Sequence, residues 1–213
     1  MPYNLDKYRK EDLRIVKTKI NLLNALNTLL YAKNFTKITV NDICKEALVS
    51  RAAFYTHYCD KYALLKDSLL DTGQNFLDDI HKCCGDGKQI ETTVGNYIYG
   101  NGKLIMNLMS ESDSELLNIM SDFLIHLIGC IVTGDKLGNV EEIEKSIKNA
   151  KNNKDSLLHT SLYTFCAGGI LGILLSYAHK RFPPDSKEVA VYIYKLIRLI
   201  VYNDDIANLI KYN

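Results

Sequence analysis

The stretch VSRAAFYTHYC, residues 49–59, holds one arginine, one histidine and three aromatic residues, and no acid. On a helical wheel, Ala53, Phe54 and Tyr58 fall to one side. Arg51, Ala52, Tyr55 and Thr56 fall to the other, with His57 at the edge. A helix this short anchors by its aromatic side and presents the Arg/Ala/Tyr/Thr side outward. The small Ala52 and Ala53 let the helix backbone closely approach whatever it binds.

Working outward, Thr39-Val40-Asn41-Asp42 is a capping box, in which Thr39 accepts from the amide near Asp42 and Asp42 reaches back. It starts a helix expected over 40–47. Ser50 caps the next, about 51–58, after a turn at Leu48-Val49. A helix over about 11–33 precedes them, with Val16, Ile20, Leu23, Leu26 and Leu30 in one stripe. Asp60 caps a long fourth helix from Lys61 to about Cys84, stopped by Gly85-Asp86-Gly87. Two short helices joined by a tight turn, the second basic and free of acid, describe a helix-turn-helix whose second helix enters a DNA major groove. In that groove Arg51 can donate two bonds to guanine, while Ala52 or Thr56 can meet a thymine methyl.

Charge is distributed to match. Residues 1–66 carry twelve Lys/Arg against six Asp/Glu, and residues 67–213 carry fourteen against nineteen, although the chain as a whole is only +1. A basic first third on a mildly acidic body points to a polyanion at one end. Only three prolines occur, Pro2, Pro183 and Pro184, so helices run with little interruption and the fold class is all-α. The N-terminal MPYNLDKYRK lacks the apolar core of a signal peptide, which implies a cytoplasmic protein with six reduced cysteines. There is no CxxC pair. His81, Cys83 and Cys84 form one H-x-C-C cluster, too few ligands for a zinc site, so neither metal nor cofactor is expected.

Beyond the fourth helix, the pattern gives two shorter helices near 90–101 and 103–110, then one over about 114–132. Residues 134–156 are polar and read as a mobile excursion. Two long helices follow, about 155–181 and 186–202, separated by Phe182-Pro183-Pro184-Asp185, with a last turn or two in 205–212. Residues 162–178 are nearly all apolar, and Gly168 to Gly172 spell GxxxG. At about 17 residues the run lies at the short limit for a membrane span, and no membrane is expected. Close helix approach is the better use for Gly168, Gly169 and Gly172, since each glycine inside a helix costs about 1 kcal/mol relative to alanine.

ITVNDICKEALVSRAAFYTHYCDKYALL, residues 38–65, resembles the DNA-binding domain of the TetR (tetracycline-repressor-like) transcriptional regulators. The resemblance covers about residues 10–70 and leaves 71–213 as a helical ligand-binding and dimerisation domain. It implies phosphate contacts from Tyr55, His57 and Lys61, and a DNA-facing set completed by Thr39, Asn41, Ser50, Arg51, Ala52 and Thr56. Lys61 opens the fourth helix, whose N-terminal amides also attract phosphate. One position departs: Leu48 stands where the family usually has glycine, which predicts a differently shaped turn.

FCAGGILGILLSYAHKRFPPDSKEV, residues 165–189, is similar to the penultimate-helix segment of one TetR subgroup. It implies a homodimer through the last two helices, with Gly168, Gly169, Gly172, Leu175, Tyr194, Ile197 and Val201 at the interface. The family also implies an inducer cavity. Tyr97, Tyr99, Met106, Met109, Met120, Phe123, His126, Tyr163 and Cys166 are its expected lining, suited to a mostly apolar small molecule. The expected function is a ligand-responsive repressor on a near-palindromic operator. The alternatives are a partner-dependent coregulator on the same fold, or a helical enzyme. The last lacks a nucleophile elbow, HExxH, P-loop or dinucleotide glycine signature in this sequence.

Overall fold

The computed structural model describes residues 13–83, 86–111, 113–138, 154–181 and 186–201, excepting the side chains of 133, 154–160, 186, 187, 190, 197 and 199–201. Every long element among them is a helix. In chain order they are α1 (Leu13–Ala32), a 3-10 turn (Phe35–Lys37), α2 (Val40–Glu46), α3 (Arg51–Tyr55) and α4 (Lys61–Lys82). Then come α5 (Gly87–Met109), α6 (Ser114–Thr133), α7 (Lys154–Ala178) and α8 (Ser186–Val201).

The first three helices close around side chains chosen by helical spacing. Leu23, Leu26 and Leu30 of α1, Phe35 and Ile38 of the turn, Ile43 of α2 and Phe54 of α3 are all essentially inaccessible. Each such side chain contributes roughly 1.5–3 kcal/mol relative to leaving it in water. The capping box forms as its residues dictate: the Asp42 amide donates to Thr39 Oγ1 at 3.1 Å, and the Thr39 amide donates to Asp42 Oδ2 at 3.0 Å. Ser50 Oγ accepts the Ala53 amide at 3.1 Å, and Asp60 accepts the Ala63 amide at 2.8 Å. Helix α3 is shorter than its expected span, ending at Tyr55.

Between α2 and α3, Leu48 has φ +56°, so the turn keeps the left-handed form that glycine would favour. The Val49 amide donates to Cys44 O at 3.0 Å and the Leu48 amide to Lys45 O at 3.3 Å, the two bonds of a Schellman cap. The expectation of a differently shaped turn is therefore corrected. Those two bonds and the packing of α3 on α2 hold the geometry, and Leu48 absorbs the strain with its side chain 92% exposed.

α4 packs against α1 and α6, and more lightly against α5. α5 lies along α8, and α7 sits between α6 and α8. The break expected between 101 and 103 does not occur, and α5 runs unbroken from Gly87 to Met109. Gly102 is there for packing: a Cβ on it would stand 3.3 Å from the Tyr177 hydroxyl of α7. A tighter approach occurs at Gly73 of α4, where a Cβ would come within 2.8 Å of the Phe123 ring of α6. Leu137 reaches back to α4, its amide donating to Gln74 Oε1 at 2.9 Å. The remainder of the expected excursion, 139–153, lies outside the described residues, as do 205–212. Ser114–Val132 and Ser161–Ala178 are long and apolar enough to cross a membrane by length and composition, a test that core helices also pass. Both pack here against neighbouring helices.

Replacing Leu48 by glycine should remove the left-handed penalty while sacrificing no buried contact. The expected gain is about 0.5–1 kcal/mol after allowing for glycine's larger unfolded-state entropy, read as a higher midpoint in urea unfolding. Destabilisation would mean that the Leu48 side chain has a packing role.

Candidate nucleic-acid interface and internal cavity

Around α3, burial divides the residues as the wheel requires. Phe54 and Tyr58 are buried, and Phe54 packs edge-on to Tyr55 with ring centres 5.4 Å apart. Tyr58 is fixed by its hydroxyl, which donates to Asp67 Oδ2 at 2.8 Å. Arg51, Ala52, Tyr55 and Thr56 are exposed together, with His57 half-buried beside them. The Arg51 guanidinium lies 5.9 Å from the Tyr55 ring centre and its Nη2 is 3.5 Å from the Tyr55 hydroxyl. Two residues one turn apart thus form a single donor-rich edge. Thr56 spends its hydroxyl on Ala53 O at 2.7 Å, so its methyl remains as an apolar contact.

Asn41 and Thr39 are also exposed, at the start of α2. The α2 terminus is held by Lys33, whose ammonium donates to Asp42 Oδ2 at 2.8 Å. That bond first, and the Thr39 bonds second, hold the Asp42 carboxyl far below the ordinary carboxylate range. The folded form therefore favours ionised Asp42, so this stabilisation is complete above the ordinary value of about 4 and is lost as pH falls below it.

Lys61 is placed otherwise than expected. Its ammonium turns inward and donates to three main-chain carbonyls: Phe35 O at 3.0 Å, Thr36 O at 3.2 Å and Ile38 O at 3.0 Å. It also lies 4.6 Å from the Phe35 ring centre. Burial lowers its pKa, and the charge of Asp113 opposes the shift. An ammonium has three donors, and all three are used here. The phosphate contact expected of Lys61 is thus corrected to a clamp that ties the start of α4 to the turn before α2.

A cavity of about 610 Å³ lies between α1, α4 and α5 on one side and α6, α7 and α8 on the other. Of its expected lining, Tyr97, Met120 and Phe123 are in place. The others are not, for reasons of helix phase and position. Tyr99 and Met106 lie on faces of α5 away from that of Tyr97, and Tyr99 is 68% exposed. Met109 directly follows the lining residue Leu108, but its own side chain is fully buried in the core and does not line the cavity. His126 lies off the α6 stripe of Met120, Leu124 and Leu127, with its Nε2 3.8 Å from Cys130 Sγ. Tyr163 and Cys166 precede Ile170 by two turns and one. Tyr163 packs by Gly129, where a Cβ would lie 3.6 Å from its ring, and Cys166 is buried in the core.

Sequence reading missed the polar half of the lining. Asn24, Asn27, Thr28 and Tyr31 on α1 and Ser68, Asp71, Thr72 and Asn75 on α4 all face the cavity. Each set runs i, i+3, i+4, i+7, a polar stripe that was visible in the sequence as a second period beside the apolar one.

On α7, Thr164, Phe165, Gly168, Gly169 and Gly172 form an exposed stripe, with Leu175 half-buried at its end. Cβ atoms on Gly168 or Gly172 would meet nothing within 4 Å. Tyr194, expected at the same interface, is instead buried within the chain, with its hydroxyl 2.8 Å from where a Gly87 Cβ would stand. The side chains of Ile197 and Val201 lie outside the described residues. In the H-x-C-C cluster, the Cys83 thiol donates to Asp79 O at 3.3 Å, and Cys84 is not among the described residues.

A capped α2, a Schellman turn and an α3 with an exposed acid-free face define a helix-turn-helix unit. Residues 22–67 match the family model of bacterial regulatory proteins, tetR family. An uncharacterized HTH-type transcriptional regulator of Bacillus subtilis (strain 168), YxbF, is 30% identical over 81 residues, which are 38% of this chain and 21% of that protein. The chain thus spans about a fifth of the length of the curated relative it matches. The solved structure of a TetR transcriptional regulator from Streptococcus agalactiae 2603V superposes with a TM-score of 0.52 at 22% identity. That match covers 86% of this chain and 95% of the other, and shows a shared fold. Residues 22–67 thus carry a tetR-type DNA-binding domain, on a chain whose fold is shared with a TetR regulator.

Lys61→Ala should lower stability by about 1.5–3 kcal/mol, the range for hydrogen bonds to a charged group. It should weaken specific and nonspecific DNA binding alike by misplacing α4. Because the ammonium is spent on carbonyls, the slope of log K against log[salt] should stay unchanged. A slope flattened by about 0.9 per subunit would return Lys61 to the phosphate backbone.

Proposed function

We propose that the chain is a homodimeric, effector-controlled repressor acting in the cytoplasm on a near-palindromic operator. The observation that carries this reading is the exposed face of α3, where Arg51, Ala52, Tyr55 and Thr56 stand together without an acid. Two such helices, one per protomer, enter successive major grooves. Arg51 reads a guanine edge, Ala52 and the Thr56 methyl meet a thymine, and Tyr55 and His57 hold phosphates, with Thr39, Asn41 and Ser50 near the backbone. A small molecule in the cavity shifts the population toward a state in which the two α3 helices no longer match the operator.

The matched family and the Bacillus subtilis relative are regulators, which favours this over a catalytic role. The test is a binding-site selection with the purified protein alone. A defined, two-fold symmetric consensus is expected, and no sequence preference without a second protein would favour a partner-dependent coregulator. Arg51→Ala should cost about 1–3 kcal/mol and relax preference at one base pair per half-site. Recovery of the parental consensus by that variant would remove Arg51 from base reading.

The dimer is assigned to the exposed stripe of α7. Gly168→Leu and Gly172→Leu meet open space inside the chain, and each should raise helix propensity by up to about 1 kcal/mol. A partner helix lying close to those glycines would be forced away. The expected result is a folded, no less stable monomer by light scattering that has lost operator affinity. A full dimer in both variants would place the interface elsewhere.

A further inference from the structure

All ten polar lining residues of the cavity come from α1, α4 and α5, and the described lining of α6, α7 and α8 is apolar throughout. Met120, Phe123, Leu124 and Leu127 of α6, with Ile170 and Leu174 of α7, make the floor. Only Asn24, Thr28 and Tyr31 among the lining residues are exposed, so the cavity opens beside α1. The polar stripes of α1 and α4 meet just inside the mouth, where the buried Ser68 hydroxyl donates to Asn27 Oδ1 at 3.1 Å. Tyr31 donates to Asn101 Oδ1 at 3.4 Å, Asn101 donates to Tyr97 O at 2.8 Å, and the Tyr97 hydroxyl donates to Thr72 O at 2.9 Å. This chain of bonds fixes the rim across three helices, and its remaining capacity is amide and hydroxyl.

We propose that the cavity takes an uncharged amphipathic molecule, with a hydrogen-bonding head such as a hydroxyl, ketone or amide between α1 and α4 and an apolar body on α6 and α7. Charge decides the head. No Lys, Arg or His is among the described lining residues, and the one ionisable acid there, Asp71, is already engaged within the chain. An anion would enter a low-dielectric space holding a carboxylate and no cation, and a cation would find its only counter-charge in use. A purely apolar occupant would strip water from the Asn24 and Thr28 groups at the mouth and return nothing. Because α1 belongs to the DNA-binding unit, the head touches that unit directly and does not act through α4 alone.

This proposal rests on the reading of the cavity as the effector site, and the test keeps the two apart by omitting DNA. Calorimetric titration at pH 7.5 with 1-decanol, decanoate and decyltrimethylammonium compares three heads on one tail below their aggregation limits. One decanol per chain is expected, bound at least ten-fold more tightly than either ion. Ile105→Trp, which fills the cavity from α5, should abolish binding, and Leu69→Trp does the same from α4 if the first variant does not fold. Asn24→Leu combined with Thr28→Val should weaken decanol several-fold and leave thermal stability unchanged. An ion binding as tightly as decanol, no decanol binding, or decanol binding that survives a folded Trp variant would each overturn the proposal. Decanol that binds as described while operator affinity stays constant would overturn the effector role and leave the ligand class standing.

Discussion

The Lys61 ammonium sits within hydrogen-bond distance of the Phe35, Thr36 and Ile38 carbonyls, roofed by the Phe35 ring. Those carbonyls belong to the turn that sets the entry angle of α2, and Lys61 is the first residue of α4. A partly buried charge needs its full complement of partners, so the geometry that satisfies it is narrow. Helix α3 lies between these two fixed points, joined to one by the Schellman cap at Leu48 and to the other by the Asp60 cap. Its orientation therefore follows from where α4 stands.

α4 does not stand alone. At its first turn the Tyr62 hydroxyl donates to Asp113 Oδ2, at the corner between α5 and α6. That bond pushes the Tyr62 phenol up to about 12, with burial adding to the shift. At the same corner Glu111 accepts from Lys37 at 2.8 Å and Asn107 donates to Leu30 O at 2.7 Å. The DNA-binding unit is thus tied to the α5–α6 corner as well as through the length of α4. An occupant that separates α1 from α5 works against both ties, because packed helices shift as rigid elements.

The cavity is a consequence of where the apolar stripes run out. α6 and α7 are apolar over far more than one face, so part of that surface faces the interior void and part faces outward at Phe165 and the glycines. On the opposite wall, α1 and α4 turn polar stripes inward that a dry core would leave unsatisfied. The void and the polar mouth thus go together: side chains such as Asn24 and Thr28 keep their access to water or to a ligand head.

Local signals determined much of this protein. The Thr39/Asp42 capping box, the Ser50 and Asp60 caps and the inward placing of Phe54 and Tyr58 depend on residues within four positions of one another, and they stood in the sequence as they stand in the fold. So did the division of α3 into a buried and an exposed face. What lay beyond the sequence involves partners far along the chain. Lys61 reads as a surface cation until three carbonyls from residues 35–38 are brought over it. Gly102 reads as a helix break until Tyr177, 75 positions later, claims its missing Cβ. Tyr194 turned inward onto Gly87, and only three of nine expected lining residues reached the cavity, because composition names side chains that suit a pocket and helix phase against distant neighbours decides which of them face it. Leu48 went the other way: its residue type opposed the left-handed turn, and the bonds and packing on either side, worth more than about 1 kcal/mol of strain, imposed it.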